Sequence, residues 1–227
     1  MTQKNNGECI SGMLVQREKV LCVMRSLLPE TVLFKEGFLP LSWDTCSEII
    51  MNAQPMFVKR DRAEHDPSLK QIIPYAMVIT KSMTCATYCR AGNETRLCGK
   101  WSVGIGGHVG DDDHAHGCSI PQAILQGLRR ELAEEISGIN NAPLKFIGLI
   151  NEERSQVGIV HLGLVFMVSL AETDACNPGK ELKNFTWKPF QELFDTRNQN
   201  QFELWSQLAV QLAKHCFMGE EAVRGEK

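Results

Sequence analysis

The chain has no long run of basic residues. Its densest basic cluster, Lys59, Arg60 and Arg62, is interrupted by Asp61 and followed by Glu64 and Asp66, and the formal net charge is −3. A footprint along a nucleic-acid backbone needs many clustered cations, so a long nucleic-acid partner is excluded, although a single nucleotide is not. No apolar stretch is long enough to cross a bilayer: Val157 to Leu170 is the longest, at 14 residues, and contains His161. Residues 1–12 are polar and lack the apolar core of a secretory signal, so the cytoplasm is the expected compartment and no membrane partner is expected. Nine cysteines, an odd number, are scattered along the chain. Cys85 and Cys89 are separated by three residues, with Cys98 nearby, but no second pair follows at zinc-finger spacing, so reduced thiols are expected. The glycines at 104, 106, 107 and 110 make neither a dinucleotide fingerprint, whose third glycine would fall on Val109, nor a P-loop, since no Gly-Lys-Ser/Thr follows. There is no internal repeat.

What the chain does have is a concentration of carboxylate on one short segment. Residues 130–139 read Arg-Glu-Leu-Ala-Glu-Glu-Ile-Ser-Gly-Ile. Glu131, Glu134 and Glu135 stand at i, i+3 and i+4, which share one face of a helix. Unpaired, they repel one another. Around a cation they form an oxygen-only donor set suited to Mg²⁺ or Mn²⁺, ions whose commonest partners are phosphates. Ser119 followed by Gln122 reads as a capping box opening a helix over 120–137, with Ile124, Leu125, Leu128, Leu132 and Ile136 as its apolar stripe and Gly138 at its end.

This segment, with Gly107 upstream, resembles the Nudix hydrolase signature: Gly, five residues, Glu, seven residues, Arg-Glu, an aliphatic, any residue, Glu-Glu, any residue, Gly, an aliphatic. Gly107 matches the first glycine, and Arg130, Glu131, Leu132, Glu134, Glu135, Gly138 and Ile139 match the second half without a gap. Two departures stand out. Fourteen residues, rather than five, separate Gly107 from the position of the first Glu, and that position holds Gln122. A neutral amide cannot be an anionic ligand or a base there. The phrases Phe57-Val-Lys-Arg, Lys70 to Tyr75 and Gly104 to Val109 also look like a Nudix subgroup known only as predicted phosphoesterases, in which an N-terminal extension belongs to the family.

The resemblance implies an α/β/α sandwich with a mixed sheet over residues 71–217, an extension over 1–70 packed on it, and a frayed tail over 218–227. It implies a metal-dependent hydrolase of a diphosphate linkage in a small molecule, with Gly107, Glu131, Glu134 and Glu135 as metal ligands and Arg130 orienting Glu131. The base that activates water comes from a loop beyond the helix in many relatives, and Glu152 and Glu153 are the candidates here. The inserted loop adds His108, His114, His116, Asp111, Asp112 and Asp113 as further possible ligands, His108 first among them because it follows the double glycine. Lys59, Arg60 and Arg62 offer phosphate contacts from the extension. Two alternatives share the fold: a non-catalytic ligand-binding module, in line with Gln122, and an isomerase acting on a diphosphate. A homodimer is left open.

Along the rest of the chain, strands are predicted within Val15–Arg25 and Val32–Leu41, a helix over Trp43–Ala53 and an extended piece at Phe57–Lys59. A loop is predicted over 60–70, then strands at Ile72–Thr80, Met83–Arg90 and Leu97–Ile105 around a turn at 91–94. Phe146–Ile150 and Val157–Val168 read as strands joined by the acidic loop 151–154. Phe185–Trp187 reads as a strand end, and helices are predicted at Pro189–Phe194 and Gln201–Cys216.

Overall fold

In the computed structural model, residues 18–33, 36–90, 99–139, 142–173, 176–195 and 200–225 are described. The predictions for residues 1–12 and for the turn at 91–94, together with Cys98, lie outside them. The strands are β1 (Lys19–Met24), β2 (Glu36–Leu39), β3 (Met56–Lys59), β4 (Leu69–Thr80), β5 (Thr84–Arg90), β6 (Trp101–Ser102), β7 (Gly104–Gly106), β8 (Ile136–Ser137), β9 (Leu144–Glu152), β10 (His161–Leu170), β11 (Asn177–Pro178) and β12 (Leu182–Pro189). The helices are α1 (Trp43–Asn52), α2 (Arg60–Ala63), α3 (Ile120–Glu135), α4 (Gln156–Val160) and α5 (Leu204–Gly225), with 3₁₀ turns at Asp111–Gly117 and Phe190–Phe194.

The main sheet runs β12-β5-β4-β10-β9-β2. β4 and β10 are parallel over ten registered pairs, and the other pairings are antiparallel, so the sheet is mixed. Period-2 alternation along β4 sorts its side chains between two layers. Ile72, Ala76 and Val78 join Ala123, Ile124, Leu128 and Leu132 of α3 in one core, which α1 completes with Cys46 and Ile50. Tyr75, Met77 and Ile79 join Leu208, Ala209, Leu212 and Ala213 of α5 in the other. The sheet is thus sandwiched between helices, as the sequence resemblance implied. Residues before position 70 contribute strands to it: β1 pairs with β4 and with β3, and β2 pairs with β9.

Several boundaries differ from those predicted. The segment 60–70 is not a loop. It holds α2, with Arg60 paired to Glu64 at 3.6 Å and Ala63 fully buried, and then enters β4 at Leu69. A four-residue helix shows no periodicity to read. The second strand is shorter than 32–41, and the one predicted over 97–105 is two pieces around Val103. α3 stops at Glu135, ahead of the expected end at 137, because β-branched Ile136 turns extended and pairs with Pro178; the Gly179 N–H then donates to the Glu135 carbonyl at 2.7 Å. Residues 157–160, predicted as the start of a strand, belong instead to α4, capped by the Ser155 hydroxyl on the Gly158 N–H. The last helix continues to Gly225, through the tail expected to fray.

Candidate active site

α3 opens as its sequence predicts. Ser119 caps it, accepting from the Gln122 N–H at 3.4 Å, while the Gln122 amide oxygen accepts from the Ser119 N–H at 2.8 Å. Gln122 is exposed and spent on this reciprocal cap. Two turns further, Arg130 gathers the site. Its Nε and Nη2 donate to the two oxygens of Asp113, both at 3.0 Å, in a bidentate fork. Nη1 donates to Glu131 at 2.8 Å, and Nη2 also donates to the His108 carbonyl at 2.9 Å. Hydrogen bonds from the guanidinium, first those to Asp113, push the Arg130 pKa further above its ordinary value against the cost of burial.

Asp113 is the unforeseen member of this arrangement. It lies in the inserted loop, yet it is buried, accepts from the Gly110 N–H at 2.8 Å, and lies close beside Gly127 of α3. The insertion is therefore a 3₁₀ turn folded onto α3 rather than an open loop of candidate ligands. Asp111 pairs with Lys19 at 3.5 Å, Asp112 is exposed, and the His114 ring lies tilted beside Phe57, 5.5 Å between ring centres. The His116 side chain lies outside the described residues.

Gly107 lies against the Glu131 carboxylate: a Cβ at this position would sit inside it. Any side chain here would have to displace that carboxylate. Burial raises the Glu131 pKa, partly opposed by the Arg130 hydrogen bond. Glu134 reaches Arg130 at only 3.5 Å and leaves 60% of its side chain exposed. Glu135 is half-buried on the same helix turn. Glu134 and Glu135 follow Glu131 on α3, but among the described residues the three carboxylates are not gathered within ligand distance of one another.

Glu152 and Glu153 are placed differently from the open acidic loop expected. Glu152 ends β9 and is buried. It accepts from the N–H groups of Arg154 at 2.9 Å and Ser155 at 3.1 Å and from the Ser155 hydroxyl, and it packs over Gly158, where a side chain would collide with it. Glu153 takes Lys70 at 2.8 Å, Arg25 at 2.8 Å and the Asn151 amide at 3.0 Å. Lys70 has no exposed surface and also donates to Asn151 and to the carbonyls of Gly158 and His161. Burial works against the Glu153 anion, but hydrogen bonds from Lys70, Arg25 and Asn151 outweigh it and hold the carboxyl below its ordinary value. Burial likewise lowers the Lys70 pKa. Both glutamates are committed to holding the β9–α4 turn, which leaves neither as an open base. Of the basic cluster, Arg60 pairs with Glu18 and Glu64, Arg62 with Asp66, and Lys59 is exposed.

His108 follows Gly107 and is mostly buried, its ring 5.6 Å from that of His161 and its Nε2 3.9 Å from Glu64. Burial, with help from nearby Arg60, His161 and Arg130, drives its pKa down to about 3. Burial lowers that of His161 too. Sequence reasoning passed over Glu64 and His161. The one available signal was a histidine interrupting an otherwise apolar strand.

Seven cysteines among the described residues are free thiols, and burial pushes Cys22, Cys46 and Cys85 up to about 12. Among the described residues, no helix is long and apolar enough to cross a membrane.

No family model matches the chain. Protein YmaB of Bacillus subtilis (strain 168) is 34% identical over 161 residues, which cover 68% of this chain and 76% of YmaB. The crystal structure of Tm1382, assigned to the Nudix hydrolases, superposes with a TM-score of 0.65 at 27% identity, over 86% of this chain and 98% of its own. The Nudix domain of Shewanella oneidensis NrtR, solved with ADP ribose, is more distant, with a TM-score of 0.49 and 14% identity over 65% of this chain and 88% of its own. With a fold match to Tm1382 over 86% of this chain, an α/β/α sandwich, and Gly107 seated against the Arg130–Glu131 pair of α3, the chain belongs to the Nudix superfamily of hydrolases.

Proposed function

We propose that the protein is a metal-dependent hydrolase that cleaves a diphosphate linkage in a nucleotide or related small molecule. The observation that carries this reading is the contact between Gly107 and the Glu131 carboxylate, which Arg130 holds from the other side at 2.8 Å. Glu131, Glu134, Glu135 and the Gly107 carbonyl would hold Mg²⁺ or Mn²⁺. Bound there, the ion supplies charge stabilisation to the bridging and leaving oxygens of the substrate.

The chain's own contribution is positioning. Arg130, fixed by its fork to Asp113, orients Glu131. With Glu152 and Glu153 committed elsewhere, Glu131 is the carboxylate left beside Gly107 to take a proton from water. Exposed Glu134 keeps its oxygens available to a ligand. The free thiols support the cytoplasm as compartment.

A panel of nucleoside diphosphate derivatives and other diphosphate compounds, incubated with Mg²⁺ or Mn²⁺, tests the proposal. Release of phosphate or a mononucleotide is expected for at least one of them. Isomerisation without release, or binding without turnover, would assign the site to another chemistry.

A further inference from the structure

The side chains of Glu64, His108 and His161 converge without belonging to the α3 carboxylate face. One potential ligand atom from each lies within 4.8 Å of the others. Glu64 follows α2, which covers β1 and β4. His161 heads β10, and His108 is next to Gly107. Alternation along the chain separates the two places: Gly107 meets Glu131 and Val109 enters the core with α3, while the intervening ring of His108 meets His161.

Two features show that the cluster is incomplete. The Nε2 of His108 is buried and has no hydrogen-bond partner. Gln71, fully buried, lies in register with His161 on the neighbouring strand, so both side chains leave the same sheet face, and neither its amide oxygen nor its nitrogen has a partner. Native proteins rarely leave buried polar atoms unpaired, and groups of them mark a place for water or an ion. His161 is already set to ligate. Its Nδ1 lies 2.6 Å from the Val157 carbonyl, so that nitrogen carries the proton and Nε2 keeps its lone pair, the arrangement found in metal-binding histidines.

We propose that Glu64, His108 and His161 form a site for one first-row transition-metal ion, Zn²⁺ foremost, separate from the Mg²⁺ or Mn²⁺ face of α3. Two imidazoles and one carboxylate match the preference of such ions, whereas oxygen-only donors suit Mg²⁺. Three protein ligands leave a fourth position, where the Gln71 amide is placed to bond a metal-bound water. Tetrahedral ligands at Zn²⁺ distances stand roughly 3.3 Å apart, so the cluster closes by about an ångström or less per side chain. Glu64 must give up Arg60 at 3.6 Å, and Arg60 keeps Glu18 at 2.8 Å. The proposal does not rest on the hydrolase reading.

The test is calorimetric titration of the full chain, stripped of metal by chelation, with Zn²⁺ in excess Mg²⁺. Co²⁺ absorption serves as a reporter of nitrogen ligation. One Zn²⁺ per chain is expected. Glu64→Gln and His108→Gln should each weaken it by at least about tenfold, while Glu134→Gln leaves it unchanged. Circular dichroism checks each variant's fold. Imidazole ¹⁵N shifts of the unmodified chain provide a second readout, with two histidines moving on addition of Zn²⁺. Failure to bind Zn²⁺ would overturn the proposal, as would retention of full affinity in both variants and unmoved histidine signals. Loss of the ion in Glu134→Gln alone would place it on the carboxylate helix instead.

Discussion

Glu134-Glu135 on α3 and Glu152-Glu153 at the end of β9 are the same dipeptide in opposite circumstances. On α3 Glu134 meets Arg130 at 3.5 Å and remains 60% exposed. At β9 each carboxylate is consumed: Glu152 by two backbone N–H groups and a hydroxyl, Glu153 by two cations and an amide. A carboxylate can bind metal or accept a proton only with an oxygen to spare. Acidic residues near a site are therefore distinguished by what already holds them, which sequence does not display.

If that contrast is correct, the largest effect on stability should come from Glu153→Ala. Removing one partner of a buried ion pair strands the other, here Lys70, at a cost of roughly 3–5 kcal/mol. Glu134→Ala, on exposed surface, should stay within about 0.5 kcal/mol. Chemical denaturation of the two variants makes the comparison, and equal stabilities would erase it.

The pH dependence should sharpen the same point. The Glu153 carboxyl is held below its ordinary value in the folded chain. Its contribution is therefore complete above the unfolded-state pKa of about 4.5 and is lost as pH falls through the lower folded value. Denaturation curves between pH 6 and 3 should show this acid-side loss in the unmodified protein. Glu153→Ala should flatten that component, and an unchanged slope would show that the pair titrates as it does in the unfolded chain.

A modest effect is expected for Gln122→Ala. The residue stands where the family signature has an acid, but its oxygen is used on the Ser119 N–H at 2.8 Å. Loss of the cap should cost about 0.5–1 kcal/mol and leave turnover nearly unchanged. A large kinetic loss at unchanged stability, measured on the same preparation, would give Gln122 a role in the chemistry.

The parts legible in sequence were those with local signals. Ser119 and Gln122 announced the start of α3, and apolar spacing its buried stripe. The motif around Arg130 implied the fold. Less legible were features fixed by partners far along the chain. Asp113 looked like one of three loop acids until it met Arg130, 17 residues away. Residues 60–70 read as a loop because they are charged and carry Pro67, although Lys70 at their end enters β4, where Glu153, distant in sequence, pairs with it. Glu64, His108 and His161 come from three separate elements and meet only in the folded chain.

The central claim is that the reacting carboxylate is Glu131, seated on Gly107 and oriented by Arg130. It is tested most directly by steady-state turnover of Glu131→Gln beside Glu153→Gln, at saturating Mg²⁺ and corrected for folded fraction. The account predicts a loss of about 10²–10⁴-fold for Glu131→Gln, the usual contribution of a general base, and little change for Glu153→Gln. The reverse order would contradict it and return the base to the end of β9.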